Sequence, residues 1–180
     1  MVDIPTATAN GVAVVTTPDG VRRPVATSVM AFLLSLTMKL PQKSELPHNP
    51  RTHPTGVGLV GRTLGILGMG SIGAEVFRLA KPFVSPTAAP PCTQRNHCLV
   101  MRGGCGLHMQ GLEFIACDPY VDPAAAAELG VELVDMDTLF TSSDFLSVNC
   151  PLNDETEGIV SAPRLAQMKP TAFLVSTAAC

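Results

Sequence analysis

No cluster of lysine or arginine interrupts this 180-residue sequence, whose charged residues amount to only 15% and whose formal net charge is −3. A nucleic-acid surface, which needs grouped cations to meet phosphates, is therefore not expected. No apolar run approaches the ~20 residues that span a bilayer. The longest, Val25 to Leu36, is about a dozen residues long, and its position and flanks do not suit a signal peptide. Six cysteines are present without a single CxxC pair, so neither a disulfide framework nor paired zinc ligands are indicated. What remains is a soluble, cytoplasmic protein with reduced thiols. Hydrophobic residues reach 46% and the mean hydropathy is +0.30, which favours buried strands over disorder or a coiled coil. The length suits one domain with a real core and is short for a two-domain enzyme.

Strand and helix patterns alternate along the chain. Gly11 to Thr17 (GVAVVTT) reads as a buried strand, with Pro18-Asp19-Gly20 as its turn. A helix follows with Val25, Val29, Met30, Leu33, Leu34 and Leu36 on a wide apolar face, packed in a core or at a subunit contact. Pro41 to Gly58 reads as a surface connection, with His48 and His53 as solvated loop residues. Thr63 to Leu67 is a short strand. The helix after it places Ile72, Val76, Leu79, Ala80 and Phe83 on one face. Leu112 to Cys117, Glu132 to Val134, Phe145 to Asn149 and Ala172 to Ser176 read as further strands. Helices fall at Pro123 to Leu129, around Thr138 to Phe140, and after Ser161, ending at Lys169-Pro170. This alternation implies an α/β fold, a doubly wound parallel sheet covered on both faces.

Between the strand at Thr63 and its helix lies Gly68-Met69-Gly70-Ser71-Ile72-Gly73, a GxGxxG turn. In a strand–turn–helix context such glycines allow a tight turn, close approach of a pyrophosphate, and helix–strand packing. The helix N-terminus adds unpaired N–H groups and a positive dipole end. Asp118 closes the next strand, where a carboxylate can accept both ribose hydroxyls. Its charge opposes a 2′-phosphate, so NAD is favoured over NADP. Asp118, however, lies 45 residues after Gly73, where about 20 is usual. The excess sits in Val84 to Gln110, which matches neither helix nor strand periodicity. Removing 84–110 leaves 18 residues and joins KPF to GLEFIACDPY.

With that junction restored, the chain resembles the NAD-dependent D-isomer-specific 2-hydroxyacid dehydrogenases. GRTLGILGMGSIGAEVFRLAKPF, FIACDPY, SDFLSVNCPLNDET and RLAQMKPTAFLVSTA stand in family order. The resemblance implies a Rossmann-type NAD-binding domain over residues 21–180, interrupted at 84–110. Residues 1–20 correspond to a remnant of the substrate domain and the hinge. It also implies roles at matching positions. Gly68, Gly70 and Gly73 form the turn, and Ser71 and Ile72 lie along the pyrophosphate. Asp118 and Pro119 meet the adenosine ribose. Cys150, Pro151 and Thr156 line the adenosine side, and Thr177 and Ala178 sit near the nicotinamide ribose. For Cys150, a small buried residue at a strand end is an equal alternative.

Departures from the family pattern set further expectations. The family moves a hydride between NAD and C2 of a small hydroxy or keto acid, using a histidine held by a glutamate, and an arginine on the substrate. Where the family has that arginine, this chain reads Thr177-Ala178-Ala179-Cys180 and stops. No residue here takes a catalytic role, the sheet is expected to be incomplete at its C-terminal edge, and the chain is expected to be truncated at both ends and inactive alone. A cofactor-sensing module without chemistry and an unstable fragment of an incomplete gene model are the competing readings. The segment 84–110 holds Cys92, His97, Cys98, Cys105 and His108, but their spacing does not suit zinc. Valine codons begin GT and a CAG glutamine codon ends AG, so Val84 and Gln110 fit a translated intron. A natural surface loop is the alternative, and either way a flexible excursion is expected. A homodimer is expected from the resemblance, and no metal.

Overall fold

The computed structural model describes residues 2–15, 17–45, 54–83 and 111–178. Five parallel strands make one sheet: β1 (Thr63–Leu67), β2 (Glu113–Cys117), β3 (Glu132–Leu133), β4 (Phe145–Val148) and β5 (Phe173–Ser176), in the order β3-β2-β1-β4-β5. β1 lies at the centre, in register with β2 from Thr63↔Glu113 to Leu67↔Cys117 and with β4 from Leu64↔Phe145 to Leu67↔Val148. Its four residues from Leu64 to Leu67 are all buried, as a strand covered on both faces requires. β3 and β5 are the edges among the described residues.

The period-2 alternation of the strands divides the core. Leu64, Ile66, Phe114, Ala116 and Phe145 face one side, where α2 (Pro18–Thr37) and α4 (Ser71–Ala80) cover them. Ala26, Val29, Met30 and Leu33 of α2 meet Val76, Phe77 and Ala80 of α4 in that layer. Phe77 and Phe114 pack edge to face with centroids 4.8 Å apart. Leu67, Ile115, Leu146 and Val148 face the other side, under Leu139 and Phe140 of α6 (Met136–Ser142). α5 (Pro123–Leu129) starts at Asp122, whose carboxylate caps Ala124 N–H, and stops at Gly130 in the left-handed region. α7 (Ala162–Gln167) follows Ser161 and ends before Lys169.

At the N-terminal end of the sheet, Asp144 gathers three donors. Its side chain is 8% exposed and accepts from Arg62 Nη1 at 2.9 Å, Lys169 Nζ at 2.9 Å and Thr63 N at 3.1 Å. Burial pushes this carboxyl up, but hydrogen bonds from Lys169, the Thr63 amide and Arg62 prevail and hold it below its ordinary value. The cluster ties the starts of β1, β4 and β5 together, at the opposite end of the sheet from the glycine turn.

The N-terminal region departs from the sequence reading. Instead of a strand over Gly11 to Thr17, a short helix α1 (Ile4–Ala9) precedes residues that, among those described, belong to no strand. Val12, Val14 and Val15 are exposed. A β-branched run forms a strand only when it pairs with a sheet edge, and among the described residues this one is in no ladder. Pro18-Asp19-Gly20 is no turn but the first turn of α2, because proline suits the opening helical positions. Pro24 lies within the same helix. A further helix, α3 (Leu40–Ser44), starts just before the segment read as connection and runs into it. α4 ends at Ala80, and Phe83 sits in a 3-10 turn (Lys81–Phe83), 42% exposed instead of on the apolar face. His48, His53, the cysteines and histidines of 84–110, and Ala179 lie outside the described residues.

Candidate dinucleotide-binding site

The turn from β1 into α4 is shaped by three glycines with different duties. Gly68 has φ +86°, and a Cβ there would lie 2.7 Å from the Cys150 amide nitrogen. A Cβ on Gly73 would lie 2.2 Å from the Gly68 carbonyl oxygen and 3.1 Å from Ile66. Both positions are glycine because the fold leaves no room. Gly70 differs: its φ is −66°, and nothing lies within 4 Å of a Cβ built there. It caps α4, accepting from Ala74 N at 2.9 Å, and the first N–H groups of that helix have no intrahelical acceptor. Ser71 is exposed and Ile72 half-buried in this first turn.

Asp118 stands where the sequence reading put it, beside the turn at the end of β2. One carboxylate oxygen accepts from Met69 N at 2.7 Å and the other from Tyr120 N at 2.9 Å. A carboxylate offers about four lone-pair positions, so both oxygens keep capacity for further donors. Gly68 N donates to Cys117 O at 3.0 Å, which locks the turn to β2. Pro119 is exposed alongside.

The other expected residues gather on the β4–β5 side. Cys150, Pro151, Thr156 and Ala178, with Val148 and Leu174, line a cleft of about 490 Å³ whose lining does not include the glycine turn. Cys150 belongs to both regions, since its backbone abuts Gly68. The loop after β4 is braced internally: Thr156 Oγ1 donates to Pro151 O at 2.5 Å, and Asn153 Oδ1 accepts from the Glu155 and Thr156 amides. Thr177 N donates to Val148 O at 3.2 Å, and its hydroxyl reaches Asn149 Oδ1 at 3.3 Å. Burial pushes the Cys117 and Cys150 thiols up, so neither is a thiolate at neutral pH.

Two features had escaped the sequence reading. Asn149 links the ends of β4 and β5 through Ser147 and Thr177. Tyr120 Oη donates to Glu155 Oε2 at 2.6 Å, joining the loops after β2 and β4. The sequence signal was the motif pair itself, DPY and NDET, each directly following a strand. Among the described residues no group of three or more His, Cys, Asp or Glu could hold a metal ion, and no helix is long and apolar enough to cross a membrane.

A parallel sheet of this order, with a glycine turn after its central strand and an acid ending the next, is a dinucleotide-binding α/β domain. Residues 106–179 match the sequence model of the D-isomer specific 2-hydroxyacid dehydrogenase NAD binding domain. The chain is 32% identical over 180 residues to D-3-phosphoglycerate dehydrogenase of Mycobacterium tuberculosis, covering 98% of this chain and 29% of that one. It is 30% identical to glyoxylate reductase of Thermococcus litoralis, covering 98% of this chain and 48% of that one. The apo structure of D-lactate dehydrogenase from Escherichia coli superimposes with a TM-score of 0.73 at 29% identity, covering 98% and 48% of the two chains. The chain is thus similar to the NAD-binding domains of D-isomer-specific 2-hydroxyacid dehydrogenases, and it spans 29% and 48% of the length of the two curated relatives.

Proposed function

We propose that this chain binds NAD across the glycine turn, as the cofactor part of an oxidoreductase that moves a hydride between NAD and a small D-2-hydroxy acid. The observation that carries the reading is Gly70. Gly68 and Gly73 are explained by internal crowding, whereas Gly70 has neither a positive φ nor a neighbour within reach. A glycine that neither crowding nor a positive φ requires, at the N-cap of a ten-residue helix, suits close approach of a diphosphate.

The remaining contacts follow from position. Ser71 and Ile72 would lie along the pyrophosphate, and Asp118 and Pro119 would meet the adenosine ribose. Cys150, Pro151 and Thr156 would form the adenosine side, and Thr177 and Ala178 would approach the nicotinamide ribose. Asp118 is held by two backbone amides, so its charge is fixed in place to accept ribose hydroxyls and to repel a 2′-phosphate. Bound NAD supplies the hydride acceptor. Substrate binding and proton transfer belong, in this proposal, to parts of the whole protein outside this chain.

Leu112 N donates to Phe83 O at 3.1 Å, and Gly61 N to Gly111 O at 3.1 Å, so Phe83 and the start of β2 are held close together. A cytoplasmic homodimer completes the proposal, supported by the likeness to the dehydrogenases above and by Val21 and Phe32, 56% and 57% exposed on α2.

Fluorescence titration with NADH tests the site. The chain is expected to bind saturably, and Gly70→Ala is expected to weaken binding about tenfold or more while costing no more than about 1 kcal/mol of stability through the poorer N-cap. Equal affinity in the variant would remove the observation on which the reading stands.

A further inference from the structure

The single tyrosine of the chain is spent on an exposed contact. Tyr120 is 79% exposed, and its hydroxyl donates to Glu155, also exposed, at 2.6 Å. Such a bond contributes little to folding, because ordering two exposed side chains offsets most of its gain. Its position is more informative than its strength. Tyr120 leaves the end of β2 and Glu155 follows β4, and those strands flank β1 on either side. Strands two places apart are separated by about 10 Å. The bond therefore bridges the gap above the end of β1, where the glycine turn begins.

Both ends of the bridge are anchored to the candidate site. The Tyr120 amide holds one oxygen of Asp118, whose other oxygen holds the Met69 amide in the turn. Glu155 sits in the turn organised by Asn153 and Thr156, next to Pro151 and Cys150. Hydrogen bonding to Glu155 pushes the Tyr120 phenol up, so it stays a donor at neutral pH.

We propose that Tyr120 and Glu155 form a clasp across the adenosine side of the dinucleotide site and set how long the cofactor remains bound. The inference rests on NAD binding at the glycine turn, as proposed above. Tyr120 and Glu155 are positioning residues: they act by joining the two loops between which the adenosine lies. Breaking the bond lets the loops separate and the adenosine end leave first.

The test is stopped-flow displacement of NADH from the full chain and from Tyr120→Phe, Glu155→Ala and the double variant. Each single variant is expected to release NADH about 3–10-fold faster. The double variant should match the singles, because the same bond is broken once. Competition by AMP should weaken by a similar factor, while reduced nicotinamide mononucleotide should compete unchanged. Melting temperatures should stay together, since both side chains are exposed. Unchanged release rates in a chain that binds NADH would overturn the clasp alone, as would fully additive effects or equal losses for the two half-ligands. A wild-type chain that does not bind NADH would overturn the clasp together with the proposed site.

Discussion

Joining Phe83 directly to Gly111 should leave a more stable protein that still binds NADH. The structural basis is the 3.1 Å hydrogen bond from Leu112 N to Phe83 O. Once 84–110 is removed, that bond becomes an i to i+2 contact around Gly111, the hydrogen-bond pattern of a γ-turn. The gain can be sized from loop closure. Holding the two ends of an n-residue connection together costs about (3/2)RT ln n, which for 27 residues is on the order of 3 kcal/mol at 25 °C. For a domain of this size, about 1 kcal/mol moves the melting temperature by roughly 2–4 °C. Deletion should thus raise it by roughly 6–12 °C. Thermal unfolding followed by far-ultraviolet circular dichroism, with an NADH titration of the same variant, reads both quantities. A deletion variant that aggregates, melts lower or loses NADH binding would refute this reasoning.

The other glycines of the turn should behave oppositely to Gly70. Gly73→Ala forces a Cβ to within 2.2 Å of the Gly68 carbonyl and should cost about 3 kcal/mol or prevent folding, read by urea denaturation. Gly68→Ala adds strain at φ +86° and should behave likewise. Asp144→Ala removes the carboxylate shared by Arg62, Lys169 and the Thr63 amide. With the two cations each 38% exposed and able to recover water, the loss should be about 2–3 kcal/mol. Because the folded carboxyl lies below its ordinary value, its contribution is whole above about pH 4 and is lost as pH falls through the lower folded value. Acid unfolding should accordingly be steeper below about pH 4 in the parent than in Asp144→Ala. Cys117 and Cys150, pushed up by burial, should alkylate more slowly at pH 7 than an open thiol, as read by peptide mass spectrometry. NADH should slow Cys150 further.

The parallel sheet was legible because its signals are local and redundant. β1 is a short buried run leading into a glycine turn, Asp118 directly follows β2, and α5 stops at Gly130. Each boundary is set by a residue whose backbone chemistry fits one conformation. The N-terminal region was not legible, since Val12 to Val15 have the composition of a strand, and pairing partners, not composition, decide whether one forms. Phe77 escaped because the apolar stripe of α4 was drawn through Phe83, while the helix ends at Ala80 and turns its buried face by one residue. The Asp144 cluster joins residues from 62 to 169. Asp118 was found because the motif predicts an acid at that place, but its bond to the Met69 amide depends on how closely two strand ends approach. The same is true of Tyr120 and Glu155, 35 residues apart in sequence and 2.6 Å apart in space.

The central claim is that the glycine turn and Asp118 together make a site for NAD. Titrating the purified chain with NADH and, separately, with NADPH tests it most directly. Saturable NADH binding is predicted, with NADPH weaker by about tenfold or more because its 2′-phosphate meets the fixed charge of Asp118. No saturable binding, or equal affinity for the two nucleotides, would contradict the account.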